Sequence, residues 1–372
     1  MKLASADVVV IGGGAIGTSA AYYLAKAGKR VTLVERGGLA QEASGANVGV
    51  VTLFSTTSYE EPDPGPFYSL VRISIDSYMS LPEEIGFDIE FDQCGGVVFA
   101  DNGEKLRGIR RAYEGYKAYG VPVEWLEPDQ VQACEPAFHF RRNLGGVFCP
   151  LNGYVNPLMA TRGFAHGARR LGTTFLLGNT VQGIVCHQGR VNAVQTSAGE
   201  IPCEFVVNAA GAWAAEIGRM AGVDIPVFPT RGQVLVTEAV PRFISRVVSG
   251  AEPQARQSRR GNVVIGSAVE NVGYNKQVTT KTISHFARGL LPNFPKVQGL
   301  QIIRTWAGLR PATPDNNPII QLLKEPEGFC LATGTGRRGM AYAPCTGQLV
   351  AALITGQPPS VSLEPLCLER FF

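Results

Sequence analysis

Apolar and polar positions change their period twice within the first 35 residues. Asp7 to Ile11 form a short run rich in β-branched residues, which is typical of a buried strand. Ala15 to Gly28 have a helical composition, and Gly28 stands where a helix should end. A second apolar run, Val31 to Val34, follows directly. The pattern therefore predicts a βαβ unit at the start of the chain.

A glycine loop, Gly12-x-Gly14-x-x-Gly17, joins the first strand to the helix, and Glu35 closes the second strand 18 positions later. Glycines let the backbone approach a pyrophosphate, the helix N-terminus faces its charge, and an acid binds the ribose hydroxyls. Glu35 favours a free ribose diol, as in FAD or NAD, while the adjacent Arg36 leaves NADP open. The alternative is a tight strand-to-helix turn without a ligand.

The rest of the chain alternates between helical and strand patterns. Ser58 to Pro66 is rich in proline and acids and predicts a loop, which helical periodicity from Phe67 to Glu84 follows. Further segments predict a strand at 96–100, helices at 104–120 and 156–172, and strands within 173–213, 231–238 and 259–270. This order predicts an α/β (α+β) fold with a more antiparallel middle.

Strand-to-glycine junctions recur far from the first one. Residues 205–214 and 328–352 each read as a strand that runs into a turn of small residues, and a helix is predicted from Ala341 to Ile354. Three such junctions spread over one chain indicate a cofactor held by a discontinuous domain. That arrangement is typical of large flavin enzymes rather than of nicotinamide dehydrogenases.

Composition narrows the class of protein. The chain has 372 residues, 45% of them hydrophobic and 17% charged, with a formal net charge of +3, and it has no basic block. Nucleic-acid binding is therefore not supported, and no apolar stretch has the length of a membrane-spanning helix. Asp7 interrupts the first apolar run, which argues against a signal peptide. We expect a cytoplasmic protein, with peripheral membrane association through a partner left open.

The cysteines and histidines do not suggest a metal site. None of the eight cysteines forms a C-x-x-C pair, and the four histidines are scattered. We therefore expect reduced cysteines that act as small hydrophobic residues, and no metal ligands.

Seven motifs, in order, resemble the D-amino-acid oxidase superfamily of FAD oxidoreductases, in its glycine oxidase and sarcosine oxidase β-subunit branch. They are the glycine loop with Glu35, "EASGANVG" (42–49), "LNGYVNP" (151–157), "VVNAAGAWA" (206–214), "PTRGQVL" (229–235), "TWAGLRPATPDNNPII" (305–320) and "GTGRRGMAYAPCTG" (334–347). The resemblance implies a discontinuous Rossmann-like FAD-binding domain (1–57, 142–225 and 305–372) and an inserted substrate-binding domain with an antiparallel sheet (58–141 and 226–304).

The resemblance also implies which residues bind FAD. The segment matching Ser44 to Gly49 crosses the pyrophosphate and the flavin face, the backbone of Val181 contacts the adenine, and the helix after Met340 points at the pyrimidine edge of the flavin. The implied cofactor residues are Gly12, Gly14, Ala15, Ile16, Gly17, Glu35, Arg36, Ser44, Gly45, Ala46, Asn47, Gly49, Val50, Val181, Ala210, Gly211, Trp213, Gly308, Gly336, Arg337, Arg338, Gly339 and Met340.

Arg310 is implied as the catalytic and substrate-binding arginine that forks a substrate carboxylate, the alternative being a salt bridge to Asp315. Arg337 is implied as a second substrate contact. A tyrosine that contacts substrate in glycine oxidase is matched here by Gln254, and nearby Arg256 is a candidate for a second anionic group.

The cysteine that bonds the flavin in monomeric sarcosine oxidases is matched by Gly308, so we expect non-covalent FAD. The implied reaction is oxidation of the C–N bond of an amino or imino acid (a D-amino acid, proline, hydroxyproline, sarcosine or an opine) by hydride transfer to flavin N5, with hydrolysis of the imine. A partner subunit with a second redox cofactor is an expectation, as in heteromeric dehydrogenases. Two alternatives stay open: oxidation of a 2-hydroxy acid or glycerol phosphate, and an FAD-holding subunit that is inactive alone.

Overall fold

The computed structural model describes residues 1–54, 65–250, 253–266 and 268–372. Most of the loop predicted from Ser58 to Pro66 lies outside these residues, and a helix begins at Gly65. The helices of the described residues are α1 Ala15–Lys26, α2 Gly65–Ile85, α3 Gly103–Ala118, α4 Pro128–Cys134, α5 Pro157–Arg170, α6 Ala214–Met220, α7 Thr280–Leu290 and α8 Gly339–Thr355. None of them is long and apolar enough to cross a membrane.

The strands in the same ranges form several sheets. They are β1 Val8–Ile11, β2 Val31–Glu35, β3 Val50–Val51, β4 Gly96–Phe99, β5 Glu124–Leu126, β6 Gly146–Cys149, β7 Gly153–Tyr154, β8 Thr174–Leu177, β9 Val181–His187, β10 Arg190–Thr196, β11 Gly199–Pro202, β12 Phe205–Asn208, β13 Phe228–Ala239, β14 Val247–Ser249, β15 Gln254–Gln257, β16 Asn262–Gly266, β17 Ile302–Ala312, β18 Ile319–Leu322 and β19 Phe329–Thr333.

A six-stranded sheet in the order β18-β19-β12-β1-β2-β8 contains the predicted βαβ unit. Its strands pair in parallel except β18, which runs antiparallel to β19. β1 is completely buried, as its unbroken apolar run predicts for a strand covered on both faces. Because β1, β12 and β19 are neighbours, the three strand-to-glycine junctions meet at one edge of this sheet.

Helices cover one face of the six-stranded sheet, and a small antiparallel sheet covers the other. Leu24 of α1 and Leu349 of α8 pack in one core with Val8 and Val10. On the opposite face, Val9 packs in a second core with residues of the sheet β11-β10-β9. The predicted Rossmann-like layering is confirmed.

A second, antiparallel sheet has the order β15-β16-β13-β17, and α7 packs on one of its faces. It provides the antiparallel middle that the sequence predicts. The predicted domain boundary at residue 305 falls inside β17, yet β17 pairs with β13 on both sides of that residue. Similarly, β6 lies in the predicted segment 142–225 but pairs with β4. The division into domains therefore stays a prediction.

Candidate functional site

The glycine loop forms a tight turn between β1 and α1. Gly12 has a positive φ of 115°, and a side chain there would collide with the carbonyl of Ala209. A side chain at Gly17 would collide with the carbonyl of Gly12, so Gly17 serves the close packing of α1. This turn leaves the N-terminus of α1 facing a cavity, where backbone N–H groups and the helix dipole favour an anion.

A large cavity adjoins this turn, and most of the predicted site residues line it. The predicted residues that line it are Gly12, Gly14, Ala15, Ile16, Glu35, Arg36, Ser44, Asn47, Gly49, Val50, Val181, Ala210, Gly211, Trp213, Gln254, Arg310, Gly336, Arg337, Gly339 and Met340. The predicted residues outside the lining are Gly17, Gly45, Ala46, Arg256, Gly308 and Arg338. One cavity thus joins the glycine loop to the proposed substrate arginine.

Glu35 stands at the end of β2, next to the glycine loop. Its carboxylate accepts hydrogen bonds from the N–H of Gly13 at 2.6 Å and from the N–H of Gly37 at 2.8 Å. A carboxylate held in this way has lone pairs left for hydroxyl donors in the cavity. The acid that the sequence predicts to bind a ribose is therefore oriented by a residue of the glycine loop, Gly13.

The segment from Ala43 to Gly49 folds over the start of α1. Ser44 Oγ accepts from the N–H of Ala15 at 2.9 Å. The Asn47 side chain donates to the carbonyls of Ala43 and Ser44 at 2.9 and 3.0 Å and accepts from the N–H of Gly49 at 2.8 Å. These bonds hold the segment in a compact turn against the cavity.

Gly308 of β17 packs closely against this segment. A Cβ at position 308 would lie 2.6 Å from the Cβ of Ala46, so only glycine lets β17 approach so closely. Gly308 also provides no thiol for a covalent flavin bond.

The cavity lining includes a stacked pair that the sequence did not indicate. The guanidinium of Arg36 lies 3.8 Å from the ring centroid of Trp213, and Arg36 also pairs with Glu42 at 3.2 Å. Sequence reasoning missed several polar or flexible lining residues, namely Glu42, Asn179, Thr180, Glu216, Met220 and Thr335. Glu42 and Thr335 lie inside two of the seven motifs, whereas Asn179 and Thr180 precede β9 and Glu216 and Met220 lie on α6, outside those motifs.

Helix α8 begins at the cavity, as predicted, although two residues earlier than the sequence indicated. Gly339 and Met340 line the cavity in its first turn, which contains no acid. Arg337 lines the cavity as well, whereas Arg338 donates to the hydroxyl of Tyr342 at 3.1 Å and lies outside the lining. The positive end of α8 therefore favours negative charge in the cavity.

Arg310, on β17, lines the same cavity. Its Nη1 donates to the carbonyl of Ala268 at 2.7 Å, and Asp315 pairs instead with Arg370 at 2.8 Å, so the alternative salt bridge is not formed. Burial, and after it the neighbouring cation of Arg337, lowers the pKa of Arg310 to about 10. The guanidinium is therefore still protonated at neutral pH.

The other two predicted substrate residues lie on β15. Gln254 lines the cavity, whereas Arg256 is buried outside it. Arg256 Nε donates to the carbonyl of Val48, and its guanidinium lies 5.8 Å from the ring of Tyr154. Within the described ranges, no group of three or more histidine, cysteine or acidic side chains is placed to hold a metal ion.

Comparisons with known proteins agree with this geometry. The family model "FAD dependent oxidoreductase" matches residues 7–353. Glycine oxidase from Bacillus licheniformis is 32% identical, over 98% of this chain and 97% of its own. The hydrogen cyanide synthase subunit HcnC from Pseudomonas aeruginosa is 29% identical, over 98% and 96%. The solved structure of L-proline dehydrogenase from P. horikoshii superposes with a TM-score of 0.90 at 27% identity, over 99% and 98%.

FAD fits the residues of the cavity, because a glycine-rich strand-to-helix turn, an acid at the end of β2 and a second helix N-terminus all line it. The predicted cofactor and the predicted class of reaction are confirmed. The chain belongs to the FAD-dependent oxidoreductase family, in its glycine oxidase and sarcosine oxidase branch, and is an enzyme that oxidises carbon–nitrogen bonds of amino acids.

Proposed function

We propose that the chain oxidises the α-carbon–nitrogen bond of an amino or imino acid whose carboxylate is held by Arg310. The observation that carries this proposal is the position of a protonated arginine in the same cavity as the glycine loop. Its hydrogen bond among the described residues goes to a carbonyl, not to a carboxylate. The planar guanidinium thus keeps donors for a bidentate contact with a substrate carboxylate.

Bound FAD supplies a flavin ring that accepts a hydride from the substrate α-carbon. The residues that would hold it are those of the glycine loop, Glu35, the segment 43–49 and the start of α8. We infer that the start of α8, which lines the cavity with its positive helix end, would stabilise the negative charge of a reduced flavin bound there. The other role of the protein in this reaction is to orient the substrate, which we assign to Arg310.

Among the described residues, three glutamates line the cavity, and we assign none of them as a general base. Glu35 accepts from Gly13, and Glu42 pairs with both Arg36 and Lys276. Glu216 lies on α6, just after Trp213. We propose that the substrate amine gives its proton to solvent and that the imine product hydrolyses in water.

We further propose that this chain is the flavin subunit of a heteromeric dehydrogenase rather than a stand-alone oxidase. Two observations support this. The relative HcnC is itself named as a subunit, and Gln254 replaces the tyrosine expected in glycine oxidase. Proline, hydroxyproline, sarcosine and opines are the substrate classes proposed, with Gln254 and Arg337 as further substrate contacts. Arg256 is buried outside the cavity and donates to the carbonyl of Val48, so the structure does not favour it for a second substrate anion.

The test is an activity screen of the purified FAD-loaded chain with D-, L- and N-alkyl amino acids and with 2-hydroxy acids. Each substrate is assayed with an artificial dye and, separately, with oxygen as the electron acceptor. We expect reduction of the dye by a carboxylate-bearing amine and little production of peroxide. Activity on hydroxy acids alone would favour C–O oxidation, and rapid oxygen consumption would favour a stand-alone oxidase. Inactivity that only a co-expressed partner relieves would favour a subunit that is inactive alone.

A further inference from the structure

Gly232 lies on β13, directly beside the strand that carries Arg310. The register pairs Gly232 with Gly308 and Thr230 with Arg310, so the Arg310 side chain reaches diagonally across to Gly232. A Cβ at position 232 would lie 2.6 Å from Nη1 of Arg310 and closer still to Cζ and Nη2. The guanidinium therefore rests against the bare backbone of Gly232.

The backbone conformation of Gly232 does not itself require glycine. The residue lies within an extended strand and is not among the glycines with positive φ. A side chain would be tolerated by the strand, and the atoms that it meets belong to the far end of the Arg310 side chain rather than to backbone. The absence of a side chain at 232 thus matters for the position of the guanidinium and not for the fold of β13.

A second contact holds the guanidinium from the loop between β16 and α7. Nη1 of Arg310 donates to the carbonyl of Ala268 at 2.7 Å. Two residues further on, Glu270 exchanges backbone hydrogen bonds with Arg231 at 2.9 and 3.0 Å. The Ala268 carbonyl is therefore anchored to β13 beside Gly232.

The side chain of Glu270 completes this anchor. It pairs with Arg231 Nε at 2.9 Å, accepts from Gln233 Nε2 at 2.8 Å and accepts from the hydroxyl of Thr282 at 3.1 Å. Arg231 and Gln233 are both buried and flank Gly232 along β13. Three consecutive residues of β13 thus support the guanidinium and hold the loop that contacts it.

We propose that Gly232 is a positioning residue that determines specificity for carboxylate substrates, by seating the Arg310 guanidinium against the strand while Glu270 holds the Ala268 carbonyl on it. The proposal rests on the proposed role of Arg310 in binding the substrate carboxylate. Any side chain at position 232 would displace the Arg310 guanidinium from the position in which it binds the substrate carboxylate.

Gly232→Ala tests this proposal. With the best carboxylate substrate from the screen, we expect KM to rise roughly tenfold to a hundredfold while kcat changes little, because the displaced fork no longer matches the carboxylate. The dissociation constant of acetate, measured from the flavin absorbance spectrum, should rise in parallel, whereas FAD content and Tm should stay near those of the parent. Gly183→Ala, in β9, is the matched control, since the three atoms nearest to its Cβ would all belong to the Gln195 side chain.

Glu270→Gln is the second variant and keeps the test decisive if Gly232→Ala does not fold. It retains a side-chain carbonyl for hydrogen bonds but loses the charge that pairs with Arg231, and we expect a smaller rise in KM in the same direction. If both variants keep the KM and the acetate affinity of the parent while Arg310→Lys is impaired, Gly232 and Glu270 do not position the guanidinium. The proposed function of Arg310 would then still stand. An unimpaired Arg310→Lys would refute both proposals together.

Discussion

Arg310 and Arg256 are two arginines on the same antiparallel sheet with different surroundings. Arg310 lines the cavity and donates to the carbonyl of a loop. Arg256 is buried beneath the segment that contains Val48 and donates to its carbonyl. The first is placed to meet a ligand, whereas the second contacts the backbone of a segment that borders the cofactor cavity.

Arg310→Lys is expected to lower kcat/KM for a carboxylate substrate by roughly a hundredfold, because a point charge replaces a planar fork. Steady-state kinetics with the dye acceptor measure this effect, and the FAD content is expected to stay normal. Arg304→Lys, at an exposed position of the same strand, is the matched control. A loss of FAD would make Arg310 a cofactor residue, and an unchanged kcat/KM would remove it from the substrate site.

Glu35→Gln is expected to weaken FAD binding by about 1.5–3 kcal/mol, the usual contribution of hydrogen bonds to a charged group. The amide keeps the shape of the side chain and one acceptor, so the glycine loop should remain folded. Titration of the apoprotein with FAD, followed by flavin fluorescence, gives the dissociation constant. Affinity equal to that of the parent would show that Glu35 does not bind the ribose.

At the scale of secondary-structure elements, the segment that precedes α7 contacts two segments that line the cavity. The Tyr274 ring lies 5.5 Å from that of Trp213, and its hydroxyl donates to the carbonyl of Ala212 at 3.1 Å. Lys276 pairs with Glu42 at 3.1 Å, and Glu42 in turn pairs with Arg36. The segment before α7 thus contacts both the turn that contains Trp213 and the segment that contains Glu42.

Lys276→Met is therefore expected to accelerate FAD release by a small factor, up to about fivefold, because an exposed ion pair contributes about 0.2–1 kcal/mol. High salt screens such a pair, so the difference from the parent should shrink at about 1 M NaCl. The release rate is measured by the return of flavin fluorescence after dilution. Lys281→Met, an exposed lysine on α7, provides the control. A difference that salt does not reduce would contradict an ionic contact.

At the scale of the whole molecule, we expect FAD to be bound without a covalent bond. The purified protein should be yellow, and acid precipitation should release the flavin into the supernatant, because position 308 is glycine. Removal of FAD should lower Tm, since a ligand present at about 100 times its dissociation constant stabilises the folded state by about 2.7 kcal/mol. Flavin absorbance is measured in the pellet and in the supernatant, and Tm is measured by thermal unfolding with and without FAD. Flavin retained in the pellet would show a covalent bond.

Some features were determined by the sequence alone. The βαβ unit, the glycine loop and helix α8 were predicted because each depends on residues close together in the chain: an apolar period, a glycine where backbones touch, or a helix boundary. The family, the cofactor and the class of reaction followed from the order of seven such motifs. Arg310 was identified in the same way, as one residue within a recognisable motif.

The tertiary structure alone decided which residues meet. It paired Asp315 with Arg370 rather than with Arg310, stacked Arg36 on Trp213, and seated the Arg310 guanidinium on Gly232. It also made β17 one continuous strand across a boundary that the sequence suggested. These contacts join segments that are far apart in the chain, and their partners depend on strand register and packing. No local period or spacing encodes such a pairing, because the distance between two side chains is set by the whole fold.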